Sequence, residues 1–190
     1  MNEIEAFDAV RRSLKKRRFE HTERVVEEGE KLANRFNVNV EKVRLAAILH
    51  DYAKYRPVEE MRNTIINAGL EERLLDFGDE ILHAFVGAYY LEHELKVADR
   101  DVLSAVKYHT TGRANMTGIE KVVFLADYIE PGRNFPGIEE VREIAKLDLD
   151  QACFMALKNT IGFLVKKGQP VYPETFEAYN YYSNDLKRRK

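Results

Sequence analysis

The sequence has few of the features that mark secreted, disulfide-bonded or membrane proteins. Its single cysteine, Cys153, excludes an internal disulfide and a zinc site built from thiolates, and its neighbours Ala152 and Phe154 indicate a small buried residue. No apolar run approaches the ~20 residues of a membrane span. Residues 1–5 are acidic and lack the apolar stretch of a signal peptide. We therefore expect a cytoplasmic protein without a membrane partner.

Strand-like alternation, internal repeats and linkers rich in glycine, serine or proline are also missing. The 190 residues, 45% of them hydrophobic, suffice for one domain with a real core. Apolar residues recur at helical spacing along nearly the whole chain. We expect a single all-α domain over residues 1–190, with a motif core at about 20–133 and later helices over 138–187 packed on it.

Capping residues and prolines set the predicted helix boundaries. Asn39 and Asp99 are suitable N-caps, Thr117 and Glu120 match a capping box, and Pro173 suits the first position of a helix. The helices are predicted at 4–14, 20–36, 40–51, 61–67, 79–95, 100–109, 118–130, 138–146, 149–167 and from 173 onward.

Charge gives little reason to expect a nucleic-acid partner, because the net charge is only −2. The basic stretch at 11–18 contains apolar Val10, Leu14 and Phe19 at the spacing of an amphipathic helix, so we interpret it as a solvated face. Residues 187–190 are interpreted as a frayed tail.

Four of the five histidines form an ordered series with two aspartates, and each member lies at or near the end of a predicted helix. Carboxylates rarely close core-forming apolar runs without a partner. Imidazole and carboxylate together bind divalent metals such as iron, manganese, zinc or nickel. The fifth histidine, His93, lies among charged residues and is predicted to be on the surface. The predicted metal ligands are His21, His50, Asp51, His83, His109 and Asp127.

One or two ions fit this series. Asp51 has two oxygens and is able to bridge two ions, and two ions about 3.5–4 Å apart form a clamp for displacement at phosphorus. His83 and His109 would then hold the second ion or, with one ion only, contact phosphate.

The order H…HD…D resembles the signature of the HD-domain metal-dependent phosphohydrolases. The segments AAILHDYAK at 46–54, YHTTG at 108–112 and ADYIEPGR at 126–133 look like those of the YqeK-type subfamily. The resemblance to these proteins extends over essentially their whole length. The resemblance implies a helical HD-domain bundle, bound iron, and symmetrical hydrolysis of diadenosine tetraphosphate to two ADP.

Several residues near the series are candidates for substrate contact. Lys54, three residues after Asp51, and Arg133, in a stiff turn, suit phosphate oxygens. Thr110 and Thr111 either offer donors or form a simple turn, and Tyr172 either stacks on a base or packs under its own loop. The predicted substrate-binding residues are Lys54, Tyr55, Thr110, Thr111, Arg133 and Tyr172. The predicted catalytic residues are Asp51, Lys54, His83, His109 and Arg133.

These observations predict a metal-dependent phosphoanhydride hydrolase that uses a metal-activated water. No GxxxxGK[ST] phosphate loop is present in the sequence. The alternatives are an HD nucleotidase or phosphodiesterase acting on another nucleotide, deoxy or cyclic, and a non-catalytic module that binds nucleotide through its metal. A homodimer is compatible with the base rates for soluble proteins.

Overall fold

The computed structural model describes residues 1–189, and Lys190 lies outside the described residues. Within that range the chain is helical and contains no strand, which confirms the all-α prediction. Two short 3₁₀ turns, Glu72–Asp76 and Asp79–Ile81, precede the fifth helix. The helices are α1 Glu3–Ser13, α2 Lys16–Arg35, α3 Val40–Leu49, α4 Val58–Asn67, α5 Leu82–His93, α6 Arg100–Tyr108, α7 Gly118–Ile129, α8 Ile138–Ala145, α9 Leu149–Lys166 and α10 Pro173–Arg188.

The predicted caps are confirmed. The side chain of Asn39 accepts a hydrogen bond from the backbone of α3, and that of Asp99 accepts two from the first turn of α6. Thr117 and Glu120 form a complete capping box at the start of α7. Each cap satisfies backbone N–H groups that the first helical turn leaves without a partner.

Some boundaries differ from the prediction where the sequence carries no cap. Helix α2 begins four residues before the predicted start at Glu20, and its N-cap, Lys15, makes no side-chain capping bond. The predicted helix over 79–95 is divided, because Asp79–Ile81 forms a 3₁₀ turn after Gly78, whose φ is +79°. The prediction of a frayed tail over 187–190 is wrong for Lys187 and Arg188, because both belong to α10, which ends at Arg188.

Helix α3 occupies the centre of the molecule and packs against α1, α2, α6 and α7. Gly29 of α2 allows a close approach, since a Cβ placed there would lie 3.1 Å from Cγ1 of Val43. The C-terminal ends of α3, α6 and α7 and the first part of α2 consequently lie near one another, and the histidine and aspartate series lies on these segments and on α5.

The later helices cover one side of this arrangement, with α9 against α7, α8 and α10. Within residues 1–189, buried residues from all ten helices belong to one hydrophobic cluster. Cys153 is fully buried within it, as expected. Among residues 1–189, no helix is long and apolar enough to cross a membrane.

Candidate metal centre

The six residues of the series converge on one buried point. His21 lies in the second turn of α2, and His50 and Asp51 follow the last residue of α3. His83 lies in the first turn of α5, His109 directly follows α6, and Asp127 lies in the last turn of α7. All but Asp127 are buried, and His93 is exposed on the surface as predicted.

Asp51 lies in the middle and turns one oxygen to each of two histidine pairs. Its Oδ2 lies 2.9 Å from Nε2 of His50 and 3.7 Å from Nε2 of His21. Its Oδ1 lies 3.1 Å from Nε2 of His83 and 4.0 Å from Nε2 of His109. A single carboxylate therefore joins two sets of imidazole nitrogens.

The second carboxylate, Asp127, belongs to one of these sets only. Its Oδ1 lies 3.0 Å from Nε2 of His21 and 4.0 Å from Nε2 of His50. We name His21, His50, Asp127 and Oδ2 of Asp51 the inner group. We name His83, His109 and Oδ1 of Asp51 the outer group.

All four imidazole rings are oriented by a hydrogen bond at Nδ1. Because each acceptor is an oxygen, Nδ1 carries the proton and the lone pair of Nε2 faces the centre. The acceptors are the carbonyl oxygens of Ala47 for His50, Glu80 for His83 and Val106 for His109, each at 2.7 Å, and Oε1 of Glu130 for His21 at 3.0 Å.

Several central atoms lack the hydrogen bond that burial normally requires. Nε2 of His21, Nε2 of His50 and Oδ1 of Asp51 are buried without such a partner among residues 1–189. In the outer group, Nε2 of His83 and Nε2 of His109 lie 3.2 Å apart, with both lone pairs directed inward. A cation between these atoms would satisfy all of them, so the donor set fits a divalent metal ion.

Charge within the centre also favours a cation. Burial would raise the pKa of Asp51 and of Asp127, but the neighbouring histidines outweigh it and hold both pKa values well below the usual range. Burial lowers the pKa of His83, and it lowers the pKa of His109 to about 3. At His50 burial acts in the same direction, yet Asp51 outweighs it and raises the pKa. The ionised carboxylates and the neutral imidazoles of His83 and His109 are in the state that binds metal, whereas His50 has to lose its proton to bind.

Residues 18–132, which include all six residues of the series, match the HD domain family. The chain belongs to the HD domain family. Over 181 residues it is 49% identical to the symmetrical bis(5′-nucleosyl)-tetraphosphatase of Bacillus subtilis (strain 168), covering 95% of this chain and 97% of that protein. The Staphylococcus aureus (strain NCTC 8325 / PS 47) protein of the same name is 41% identical, covering 100% and 99%.

A solved structure has the same HD-domain fold. It is that of a predicted HD superfamily hydrolase involved in NAD metabolism from Clostridium acetobutylicum, which matches with a TM-score of 0.90. The sequence identity is 36%, and the match covers 100% of this chain and 99% of that chain. The likeness extends over α8–α10 as well as over the residues that match the HD domain.

Glu130 and Arg18 both contact residues of the inner group, and neither contact was predicted from the sequence. Buried Glu130 accepts the Nδ1 hydrogen bond of His21, and it also accepts a 2.6 Å bond from Nε of Arg24. Glu130 follows Asp127 by three residues, and residues three apart on a helix are neighbours. This spacing was the signal in the sequence that could have placed Glu130 near the metal ligands.

Arg18 corrects the interpretation of the basic stretch as a solvated face. Its Nε donates to Oδ2 of Asp51, and its side chain is mostly covered. It precedes His21 by three residues, so both point to the same side of α2. Helix α2 begins early enough to include Arg18, and this start brings the guanidinium inward.

The predicted phosphate contacts surround the same HD-domain centre. Nη2 of Arg133 lies 2.7 Å from Oδ1 of Asp127, and Nζ of Lys54 lies 3.2 Å from Oε2 of the exposed Glu80. The hydroxyl of Thr110 lies 3.1 Å from Nε2 of His109. The hydroxyl of Thr111 is buried and donates to the carbonyl of Gly112. For Thr111 this matches the predicted alternative of a simple turn.

Tyr172 does not reach this centre as a stacking residue. It is only 3% exposed, its ring lies 5.3 Å from that of Phe77 and 5.5 Å from that of Phe85, and its hydroxyl donates to Glu71 at 2.7 Å. No face of the ring is left for a base. Tyr172 is therefore packed beneath its own loop, which was the alternative prediction. Tyr55, in contrast, is 45% exposed.

Proposed function

We propose that this HD domain hydrolyses diadenosine tetraphosphate symmetrically to two ADP. The observation that carries the proposal is the convergence of four oriented imidazoles on two ionised carboxylates, with cationic side chains around them. The relatives at 49% and 41% identity, which match over nearly the whole chain, bear the name of this activity. The buried centre supports the hydrolase class, and the relatives support the substrate.

Metal would be held by all six residues. The inner group offers Nε2 of His21 and His50 with two carboxylate oxygens, and the outer group offers His83 and His109 with the remaining oxygen of Asp51. We therefore propose two ions, with Asp51 as the bridge, and iron as the metal. Bound there, divalent ions supply an activated water and stabilise charge on phosphoryl oxygens.

The chain's own cations would bind the phosphates. Arg18 and Arg133 contact the carboxylates of the inner group, and Lys54 contacts only an exposed glutamate. Each is thus able to turn toward a phosphate when metal neutralises the carboxylates. A planar guanidinium binds two phosphate oxygens at once, whereas the ammonium of Lys54 acts as a point charge.

The test is an assay of diadenosine tetraphosphate with protein prepared with iron or manganese under reducing conditions. We expect ADP as the sole nucleotide product. AMP with ATP would contradict symmetrical cleavage, and the absence of any product would contradict the substrate. A panel of deoxy and cyclic nucleotides tests the alternative HD activities, and tight metal-dependent nucleotide binding without turnover would indicate a binding module.

Metal identity and assembly need their own measurements. Elemental analysis of freshly purified protein is expected to give iron at two ions per chain, and one ion per chain would contradict the bridging role of Asp51. Light scattering tests the predicted homodimer, and fractionation of cells tests the expected cytoplasmic location.

A further inference from the structure

An exposed aromatic corner lies beside the metal centre. Tyr55 is 45% exposed, and Nζ of Lys15 lies 4.9 Å from the centroid of its ring. A cation over an aromatic face is a favourable contact, but an exposed one contributes little to stability. We name Lys15 and Tyr55 the Tyr55 corner.

The corner is connected to the centre through the backbone. Tyr55 follows Asp51 by four residues, and the intervening chain turns tightly, since the N–H of Lys54 donates to the carbonyl of Asp51 at 2.8 Å. A turn closed by such a bond to the third residue back rises about 2 Å per residue, so Tyr55 lies roughly 8 Å from Asp51 along the chain. The exposed ring is therefore within reach of a ligand bound at Asp51.

Positive charge continues from the corner to the centre. Arg18 bonds to Asp51, and Lys54 directly precedes Tyr55 in the chain. Within residues 1–189, neither Lys15 nor Arg17 has a carboxylate at ion-pair distance. An aromatic ring beside unpaired cations provides stacking and charge for a nucleotide.

A cavity beside the metal centre is too small to hold the whole dinucleotide. Thr110, Tyr128, Arg133 and Phe135 line a cavity of about 200 Å³ that opens beside His109 and Asp127. Ligand pockets usually measure ~300–1,000 Å³. A dinucleotide cleaved in its middle has two equal halves, and this cavity accommodates at most one of them.

We propose that the Tyr55 corner binds the other half of the substrate, a nucleoside diphosphate unit whose base stacks on Tyr55 and whose phosphates face Arg18 and Lys54. The proposal rests on symmetrical cleavage and gives the two halves different sites. Lys15 holds the ring in place and attracts the outer phosphate. The basic stretch that the sequence indicated as a solvated face thus acquires a ligand.

The test compares two substrates on the metal-loaded enzyme. Diadenosine tetraphosphate has two bases, whereas adenosine 5′-tetraphosphate has one, and hydrolysis of its corresponding central bond would give ADP and pyrophosphate. For Tyr55→Ala we expect the ratio of the two KM values, dinucleotide over mononucleotide, to rise roughly tenfold at similar kcat. Tyr55→Phe, which keeps the ring, should restore the ratio.

Lys15→Gln and Lys16→Gln form a matched pair. Both remove one charge from neighbouring positions, but the side chain of Lys16 is 92% exposed and lies 3.9 Å from Glu20. We expect the KM ratio to rise severalfold in Lys15→Gln and to stay constant in Lys16→Gln. An equal effect of the two changes, or an unchanged ratio in Tyr55→Ala, would overturn the proposal while leaving the hydrolase intact.

Binding of the product gives an independent readout. Calorimetric titration of the metal-loaded protein with ADP is expected to show two ADP per chain, and one in Tyr55→Ala. A single ADP per wild-type chain would refute the second half-site. If the wild-type protein forms no ADP from diadenosine tetraphosphate, the proposed function fails, whatever the stoichiometry.

Discussion

The inner and outer groups share Asp51 but differ in their other ligands and in what supports them. The inner group contains a second carboxylate, Asp127, and its His21 is hydrogen-bonded to the buried carboxylate of Glu130. The outer group consists of His83, His109 and Oδ1 of Asp51, and backbone carbonyls orient both rings.

This difference has a consequence for cation binding. A carboxylate behind an imidazole makes its other nitrogen more basic, whereas a carbonyl mainly fixes the ring. The inner group also carries more negative charge close to the metal position. We therefore expect the inner group to bind its ion more tightly than the outer group does.

Asp51→Ala should have the largest effect, because it removes the carboxylate that supplies one oxygen to each group. We expect both ions to be lost and kcat/KM to fall by roughly a thousandfold or more, since each tenfold corresponds to about 1.36 kcal/mol. Elemental analysis and the ADP assay measure these two quantities. Asp150→Ala, at a mostly covered aspartate paired with Lys121 at 2.6 Å, is the matched control and should keep its metal.

His21→Ala and His83→Ala compare the two groups directly. We expect the dissociation constant of the tighter ion to rise at least roughly tenfold in His21→Ala and to stay within about twofold in His83→Ala. Titration with a competing chelator measures both constants. If the two changes weaken the same ion equally, the division into two groups is wrong.

Glu130→Gln tests the support of the inner group without removing a ligand. Replacing the carboxylate behind His21 should lower metal affinity by roughly 10–100-fold while the fold remains intact. The control is Glu120→Gln, at another buried glutamate in the first turn of α7, which accepts hydrogen bonds from Ser104 and Arg113. Equal metal affinities in the two variants would contradict the support role.

The smallest effects are expected from the cations beside each group. Arg133→Gln removes a two-oxygen contact near Asp127, and we expect KM for the dinucleotide to rise roughly tenfold. Lys54→Gln removes a point charge on the outer side, and a rise of about threefold is expected. Steady-state kinetics measure both, and a larger effect at Lys54 would reverse the comparison.

Local sequence predicted the helices well where a side chain caps them. Asn39, Asp99 and Thr117 each satisfy backbone N–H groups by themselves, so the starts of α3, α6 and α7 follow from a few adjacent residues. The start of α2 was predicted too late because Lys15 makes no capping bond. The helix over 79–95 was predicted whole because a single glycine at 78 gave a weak signal.

Long-range contacts were harder to predict. Arg18 was assigned to a solvated face because the apolar residues around it have the spacing of an amphipathic helix, yet it meets Asp51 across 33 positions in the chain. Tyr172 was a candidate for stacking, but Glu71 accepts its hydroxyl across 101 positions and holds the ring inside. Such partners are brought together by packing and leave no local pattern.

The sequence by itself determined the all-helical class, the HD domain family and the six residues of the series, because periodicity and caps are local and the H…HD…D order is a property of the chain alone. Only the tertiary structure decided that Asp51 turns one oxygen to each histidine pair and that His21 is supported by Glu130. Those contacts depend on how α2, α3, α5, α6 and α7 cross, and their crossing is set by close approaches such as that of Gly29 to Val43.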